Sequence, residues 1–140
     1  KRYFEQYAGV KRYFDDAVAD ARATQRATTL LGRTRQLPHI NTQSFNLRQQ
    51  AERLAVNTPI QGTAADILKV AMLNLDRRLR AEASRSRMLM TVHDELVLEV
   101  HETETERMPN IVREEMEGAM ALDVALRVDV AMGRTWAQIH

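Results

Sequence analysis

The chain has 140 residues, 44% of them hydrophobic, a formal net charge of +1 and no cysteine. That is one domain's worth of polypeptide with enough apolar content for a core, and the missing thiols exclude disulfides and thiolate metal sites, so a reducing, intracellular setting is the simpler expectation. No apolar run approaches the roughly 20 residues that span a bilayer, and no signal-like segment opens the chain.

The sequence begins at Lys1, without methionine and already in a helical pattern, as a piece of something longer would. Tyr3, Phe4, Tyr7, Val10, Tyr13, Phe14, Ala17, Val18 and Ala21 recur at three- and four-residue steps. They predict an amphipathic helix, bent or interrupted at Gly9, whose stripe is core. ATTLLGRTRQLPHI, with its β-branched residues, a turn at Gly32 and a stop at Pro38, predicts a short hairpin with Arg33 and Arg35 at its turn. From about Ser44 to Leu79 the pattern is helical, with Leu54, Ile67, Leu68, Met72 and Leu75 as core candidates. Pro59 and Gly62 predict a kink or a junction of two helices near Thr58.

MLMTVHDELVLEV reads as two short buried strands, Met88 to Val92 and Leu96 to Val100, that meet at His93, Asp94 and Glu95. In TETERMPNIVREEMEGAM, Met108, Ile111, Val112, Glu115, Met116 and Ala119 share a helical period behind acidic residues that suit a helix N-terminus. The charges of this helix read as an exposed face. Leu126 to Val130 predicts a last strand, and Trp136 a packing anchor. There is no repeat, low-complexity tract or interdomain linker. Residues 1–53 hold ten Lys/Arg against five Asp/Glu and residues 54–140 ten against fourteen, so the first part is better suited to meet a polyanion.

Two stretches carry chemistry. In ERLAVNTPIQGTAADI, Arg53, Asn57 and Gln61 are four apart, and on a continuous helix they present a guanidinium and two amides on one face. Amide donors can bond the N3 of purines and the O2 of pyrimidines in the minor groove, where these acceptors occupy similar positions in every base pair. Such a stripe tests pair geometry without reading sequence. Equally, Asn57 ahead of Thr58-Pro59 suits a cap or turn, and Gln61 an exposed position. In the second stretch, Asp94 and Glu95 at a tight strand junction offer the oxygen ligands that magnesium takes, one or two carboxylates completed by water and phosphates; a solvated acidic turn is the alternative. Zinc is disfavoured, because His93 and His101 are eight apart and no HExxH spacing exists. Ser44, Ser84 and Ser86 sit in no nucleophile elbow, and no glycine-rich phosphate loop is present.

AERLAVNTPIQGTAADILKVAM followed by RMLMTVHDELVLEV resembles the C-terminal part of the bacterial DNA polymerase I family, family A of the DNA polymerases. YFEQYAGV, TLLGRTRQLPHI and the ending with Gly133 and Trp136 extend the likeness over nearly the whole chain. The resemblance implies an α+β, partial right-hand polymerase fold, an antiparallel palm sheet packed on helices, with residues 1–43 from the fingers and 44–140 from the palm. It implies two-metal nucleotidyl transfer with magnesium, deoxynucleoside triphosphates and primer-template DNA. Asp94 then matches a metal-binding catalytic aspartate, Glu95 a supporting catalytic carboxylate and His93 a contact to the primer terminus. Arg53, Asn57 and Gln61 match the helix at the primer-template minor groove, and Arg33 and Arg48 match contacts to the DNA backbone.

Thr34 departs from a longer basic run after the glycine, and Ala131-Met132 from a more glycine-rich ending. The family's other metal-binding aspartate and its nucleotide-handling fingers helix lie upstream of the matching region, so the chain alone is expected to be inactive without that segment. Apolar surface on the palm and on the helix of residues 3 to 18 is expected to be exposed. A cytoplasmic, nucleoid-associated place in DNA replication and repair, with no membrane partner, goes with the family. The remaining alternatives are a non-catalytic duplex-binding module, sensitive to loss of Arg53, Asn57 or Gln61 but not of Asp94, a metal-dependent phosphodiesterase using Asp94 and Glu95, and a fragment that only packs against a partner chain.

Overall fold

The computed structural model describes residues 2–138; the expectation that Lys1 is helical lies outside the described residues. The fold is α+β. Helices α1 (Arg2–Gln6) and α2 (Ala8–Thr24) precede a hairpin of β1 (Arg26–Thr28) and β2 (Thr34–Gln36), then the 37-residue α3 (Phe45–Ala81). Strands β3 (Arg87–Val92) and β4 (Glu95–Glu99), a 3₁₀ turn (Glu102–Glu104), α4 (Met108–Glu117) and a second 3₁₀ turn (Trp136–Gln138) complete it. Two compact units result, Lys1–Asp66 and Ile67–His140, and α3 contributes residues to both.

In the first unit the helical break falls at Tyr7 (φ −118°, ψ 65°), and Gly9 lies inside α2. The aromatic stripe is not core: Tyr3 is 59% and Tyr7 49% exposed, and Tyr3, Phe4, Tyr7, Tyr13 and Phe14 form a chain of ring contacts largely at the surface. The core is made instead of Ala21, Ala27, Leu37, Ile40, Ala51 and Ala55, with Leu54 packed on it. Four of those six side chains are single methyl groups. They let backbones approach closely but bury little apolar area, at about 0.8 kcal/mol per CH₂.

The hairpin forms as expected, antiparallel with Arg26 opposite Gln36 and Thr28 opposite Thr34, and Gly32 takes φ +84° in the connecting loop. No junction of two helices forms near Thr58: α3 runs through Pro59 as one helix. Proline lacks the N–H that the Ala55 carbonyl would accept and crowds the preceding turn. One residue on, the Tyr13 hydroxyl donates to the Val56 carbonyl at 2.8 Å, so α2 supplies a donor to the turn that proline disturbs. Burial raises the Tyr13 phenol above its usual pKa, which keeps the proton on that donor.

The second unit has the larger side chains. Leu75, Leu79, Met108, Ile111 and Val112 are buried together, with Met88, Leu96, Leu98, Val100, Met116 and Val130 packed against them. Each fully buried side chain of this size contributes about 2 kcal/mol. The strands are covered on one face only. A bulge between Met88 and Met90 shifts the ladder, so that Met88 faces Leu98 but Thr91, not Met90, faces Leu96. Opposed residues share a face, and one extra residue reverses the alternation beyond it. Leu89 (54% exposed) and Met90 (52%) therefore stand outside the core, contrary to the reading of a run built for burial.

The acidic residues expected at the start of α4 lie before it, Glu104 in the 3₁₀ turn and Glu106 in the turn that follows, and Pro109 occupies the first turn of α4. Glu104 is buried, not part of an exposed face: it accepts from the hydroxyls of Ser84 and Ser86, the backbone N–H groups of Arg85 and Ser86, and the Arg107 guanidinium. The serine hydroxyls first, and then Arg85 and Arg107, hold its carboxyl far below the usual glutamate range. Arg78 bonds Glu82, Glu114 and Glu115, joining the end of α3 to α4 and keeping its guanidinium strongly basic. The predicted strand at Leu126–Val130 is irregular, with Val128 N–H donating to Glu117 at 3.0 Å in place of a ladder. Trp136 remains 37% exposed.

Two outcomes are expected. Tyr13→Phe should cost about 1 kcal/mol of stability in denaturant unfolding, the net value of one hydrogen bond. Since Glu104 has a folded pKa below its unfolded one, its stabilisation is complete above the ordinary glutamate range, about pH 4.3, and fades as pH falls towards the folded value. Thermal scans of Glu104→Gln should show lower stability at neutral pH and a flatter acid limb.

Candidate nucleic-acid interface and carboxylate turn

Because α3 is unbroken, Arg53, Asn57 and Gln61 do lie along one face, and all three are exposed. Asn57 therefore caps nothing; it sits in a helix interior, where an amide is a poor helix former. Neither Asn57 nor Gln61 has a side-chain hydrogen-bond partner among the described residues, so their amides are available. Arg53 donates to Gln49 at 2.9 Å, which extends the polar stripe by one step towards the helix start. Arg48 stands apart, about 140° around the helix from Arg53. Its guanidinium donates to the Thr42 carbonyl at 3.2 Å and lies 5.9 Å from the Phe45 ring centroid.

Arg33 is held inside the first unit. Its Nε donates to Asp66 Oδ1 at 2.8 Å and its Nη2 to the Gly62 carbonyl at 2.9 Å. The other Asp66 oxygen accepts from Thr29 Oγ1 at 2.6 Å, and Leu30 N–H donates to Thr63 Oγ1 at 3.0 Å. A Cβ on Gly62 would lie 2.5 Å from the Thr29 methyl, so only glycine allows the hairpin loop this close to α3. Sequence reasoning missed Thr29, Thr63 and Asp66. The signal was present in QGTAADIL, where a threonine and an aspartate three apart follow a glycine among small and apolar residues.

In the second unit, His93 and Asp94 are the two residues of the turn between β3 and β4, and Glu95 opens β4 opposite Val92. All three are exposed. Two-residue hairpin loops need positive φ at one or both central positions to match strand twist. His93 adopts φ 55°, which costs a non-glycine residue about 1–2 kcal/mol. Asp94 is thus fixed at the tip of a twisted two-stranded ribbon with its carboxylate in solvent. Among the described residues no three His, Asp or Glu side chains converge as a metal-binding set. An exposed aspartate with a neighbouring glutamate still fits magnesium, which takes one or two protein carboxylates and fills its shell with water and phosphate oxygens.

A sequence model described as DNA polymerase family A matches residues 1–138. The chain belongs to this family. It is 51% identical over 136 residues to DNA polymerase I of Bacillus caldotenax, covering 97% of this chain and 16% of that protein. It is 46% identical over 136 residues to DNA polymerase I of Mycobacterium leprae, covering 97% of this chain and 15% of the relative. Among solved structures, the POL domain of Pol1 from M. smegmatis in complex with DNA primer-template and dNTP superposes with a TM-score of 0.94 at 46% identity, over 98% of this chain and 24% of that one. This family A chain thus spans about a sixth of the length of the curated relatives it matches.

The strain at His93 has a measurable consequence. Glycine relieves the positive φ and loses some of that gain to its own unfolded-state entropy, so His93→Gly should stabilise the chain by about 0.5–1 kcal/mol in denaturant unfolding.

Proposed function

We propose that this chain acts as part of a template-directed DNA polymerase, which adds deoxynucleotides to a primer 3′-hydroxyl by two-metal nucleotidyl transfer in DNA replication and repair. The likeness to a mycobacterial POL domain solved with primer-template and dNTP carries the reading. On it, residues 1–43 come from the fingers and 44–140 from the palm, and the working place is the bacterial cytoplasm at the nucleoid. Exposed Leu89, Met90 and the aromatic residues of α1 and α2 are faces for the rest of the polymerase, which supplies the second metal-binding aspartate and the fingers helix.

Each residue then has a task. Asn57 and Gln61 donate to minor-groove acceptors and so test base-pair geometry, with Arg53 beside them; their exposure and lack of internal partners support this. Asp94, with Glu95 in support, would hold magnesium at the ribbon tip. When bound, that ion supplies activation of the primer hydroxyl and stabilisation of charge on the phosphoryl group and leaving pyrophosphate. His93 contacts the primer terminus. Arg33 and Arg48 add sequence-independent attraction to phosphates.

Primer extension with magnesium and four deoxynucleotides tests this. The 140-residue chain alone should give no product; combined with the upstream segment of a family A polymerase it should extend the primer, and Asp94→Asn should lower that activity by at least about a hundredfold. Extension by the chain alone would overturn the shared-site reading, and activity unchanged in Asp94→Asn would remove Asp94 from catalysis.

A further inference from the structure

We infer that Asp66 is a positioning residue for duplex binding, acting through Arg33: together with Thr29 it aims the Arg33 guanidinium at a DNA phosphate to one side of the amide stripe. The inference rests on the nucleic-acid reading of α3. Asp66 is buried, its side chain 9% exposed, whereas the Arg33 side chain is 51% exposed. The carboxylate and the Gly62 carbonyl take one N–H each from Nε and Nη2. A guanidinium carries five N–H donors in a rigid plane, so three remain for an outside acceptor, and the bonds to Asp66 and Gly62 fix the direction in which they point.

Position on the helix gives the target. Gly62 is level with Gln61, the last amide of the stripe, but about 100° around α3 from it, so the fixed guanidinium stands on the flank of the surface that would meet a minor groove. A groove is flanked by phosphates, and a planar donor set suits a phosphate's oxygens. Thr29 completes the device. Its hydroxyl donates to the second Asp66 oxygen and accepts from the Arg33 backbone N–H at 3.2 Å, so one buried carboxylate is tied to both ends of the Thr29–Arg33 loop. A hairpin free to swing would carry the same charge without a fixed place for it. What Asp66 adds is orientation, not net attraction, since its own charge repels DNA.

Duplex binding by the full chain, measured by fluorescence anisotropy over a range of salt, separates the possibilities. Arg33→Ala should weaken binding and lower the slope of log K against log salt by about one, the signature of one lost phosphate contact. Asp66→Asn removes a negative charge, which on electrostatics alone should tighten binding; here it should instead weaken binding, lower the slope by a similar amount and add nothing in the Arg33→Ala background. Thr29→Val should act like Asp66→Asn, and Thr29→Ser, which keeps the hydroxyl, should restore the slope. Thermal unfolding identifies any variant that fails to fold, and the folded threonine pair then carries the test. Tighter binding in Asp66→Asn, or effects additive with Arg33→Ala, would overturn the inference. If Asn57→Ala and Gln61→Ala weaken binding while Arg33→Ala does not, the positioning role falls and the amide stripe stands. If none of these substitutions changes binding, both fall.

Discussion

Everything on the first half of α3 depends on a helix that continues through a proline. A backbone carbonyl without its donor, and a ring pressed on the preceding turn, normally end or kink a helix at a cost of about 3 kcal/mol. Here the Tyr13 hydroxyl reaches the Val56 carbonyl beside the disturbed turn, and alanines at 51 and 55 let α2 and its neighbours come close enough for that bond. Packing around the proline, not helix propensity, keeps positions 53, 57 and 61 in line. A junction at Thr58 would have turned Gln61 away from Arg53 and left no stripe.

The two units are stabilised differently. The second has a conventional core of leucine, methionine and isoleucine, closed by charged groups that are fully bonded at its edge: Glu104 with two serines and Arg107, Arg78 with three glutamates. The first buries mostly methyl groups and relies more on directed polar bonds. A buried carboxylate is expensive unless its oxygens are satisfied, and Asp66 meets that condition by binding a loop that a three-residue ladder and the bonds to Thr63 and Gly62 also hold.

Local periodicity disclosed the elements that have one: the hairpin at Gly32, α4 (Met108–Glu117), which stops short of Ala119, and the ribbon around His93 and Asp94 appear where pattern and turn chemistry put them. The family, too, was legible from two short stretches. What periodicity could not disclose was which faces are covered. The aromatic stripe of Tyr3 to Phe14 has the spacing of a core face and is largely exposed, because its contacts in this chain are mainly with itself. Glu104 looked like one charge among many, since its serine partners lie about twenty residues away in sequence. Leu126–Val130 has strand composition but joins no ladder, and the Glu117 carboxylate, not a neighbouring strand, accepts from the Val128 N–H.

The bulge at Leu89 reaches beyond burial. On its far side from β4, β3 has no ladder partner among the described residues, and such an edge would ordinarily accept an extended chain in several alignments. Side-chain phase reverses along this edge, with Met88 pointing one way and Thr91, three residues later, pointing the same way. A straight strand with regular alternation can match the edge before Leu89 or after it, but not both. Only a segment whose own pattern slips by one at the same height can lie along its full length, so a single inserted leucine shortens the run of edge that a regular strand can match side chain for side chain.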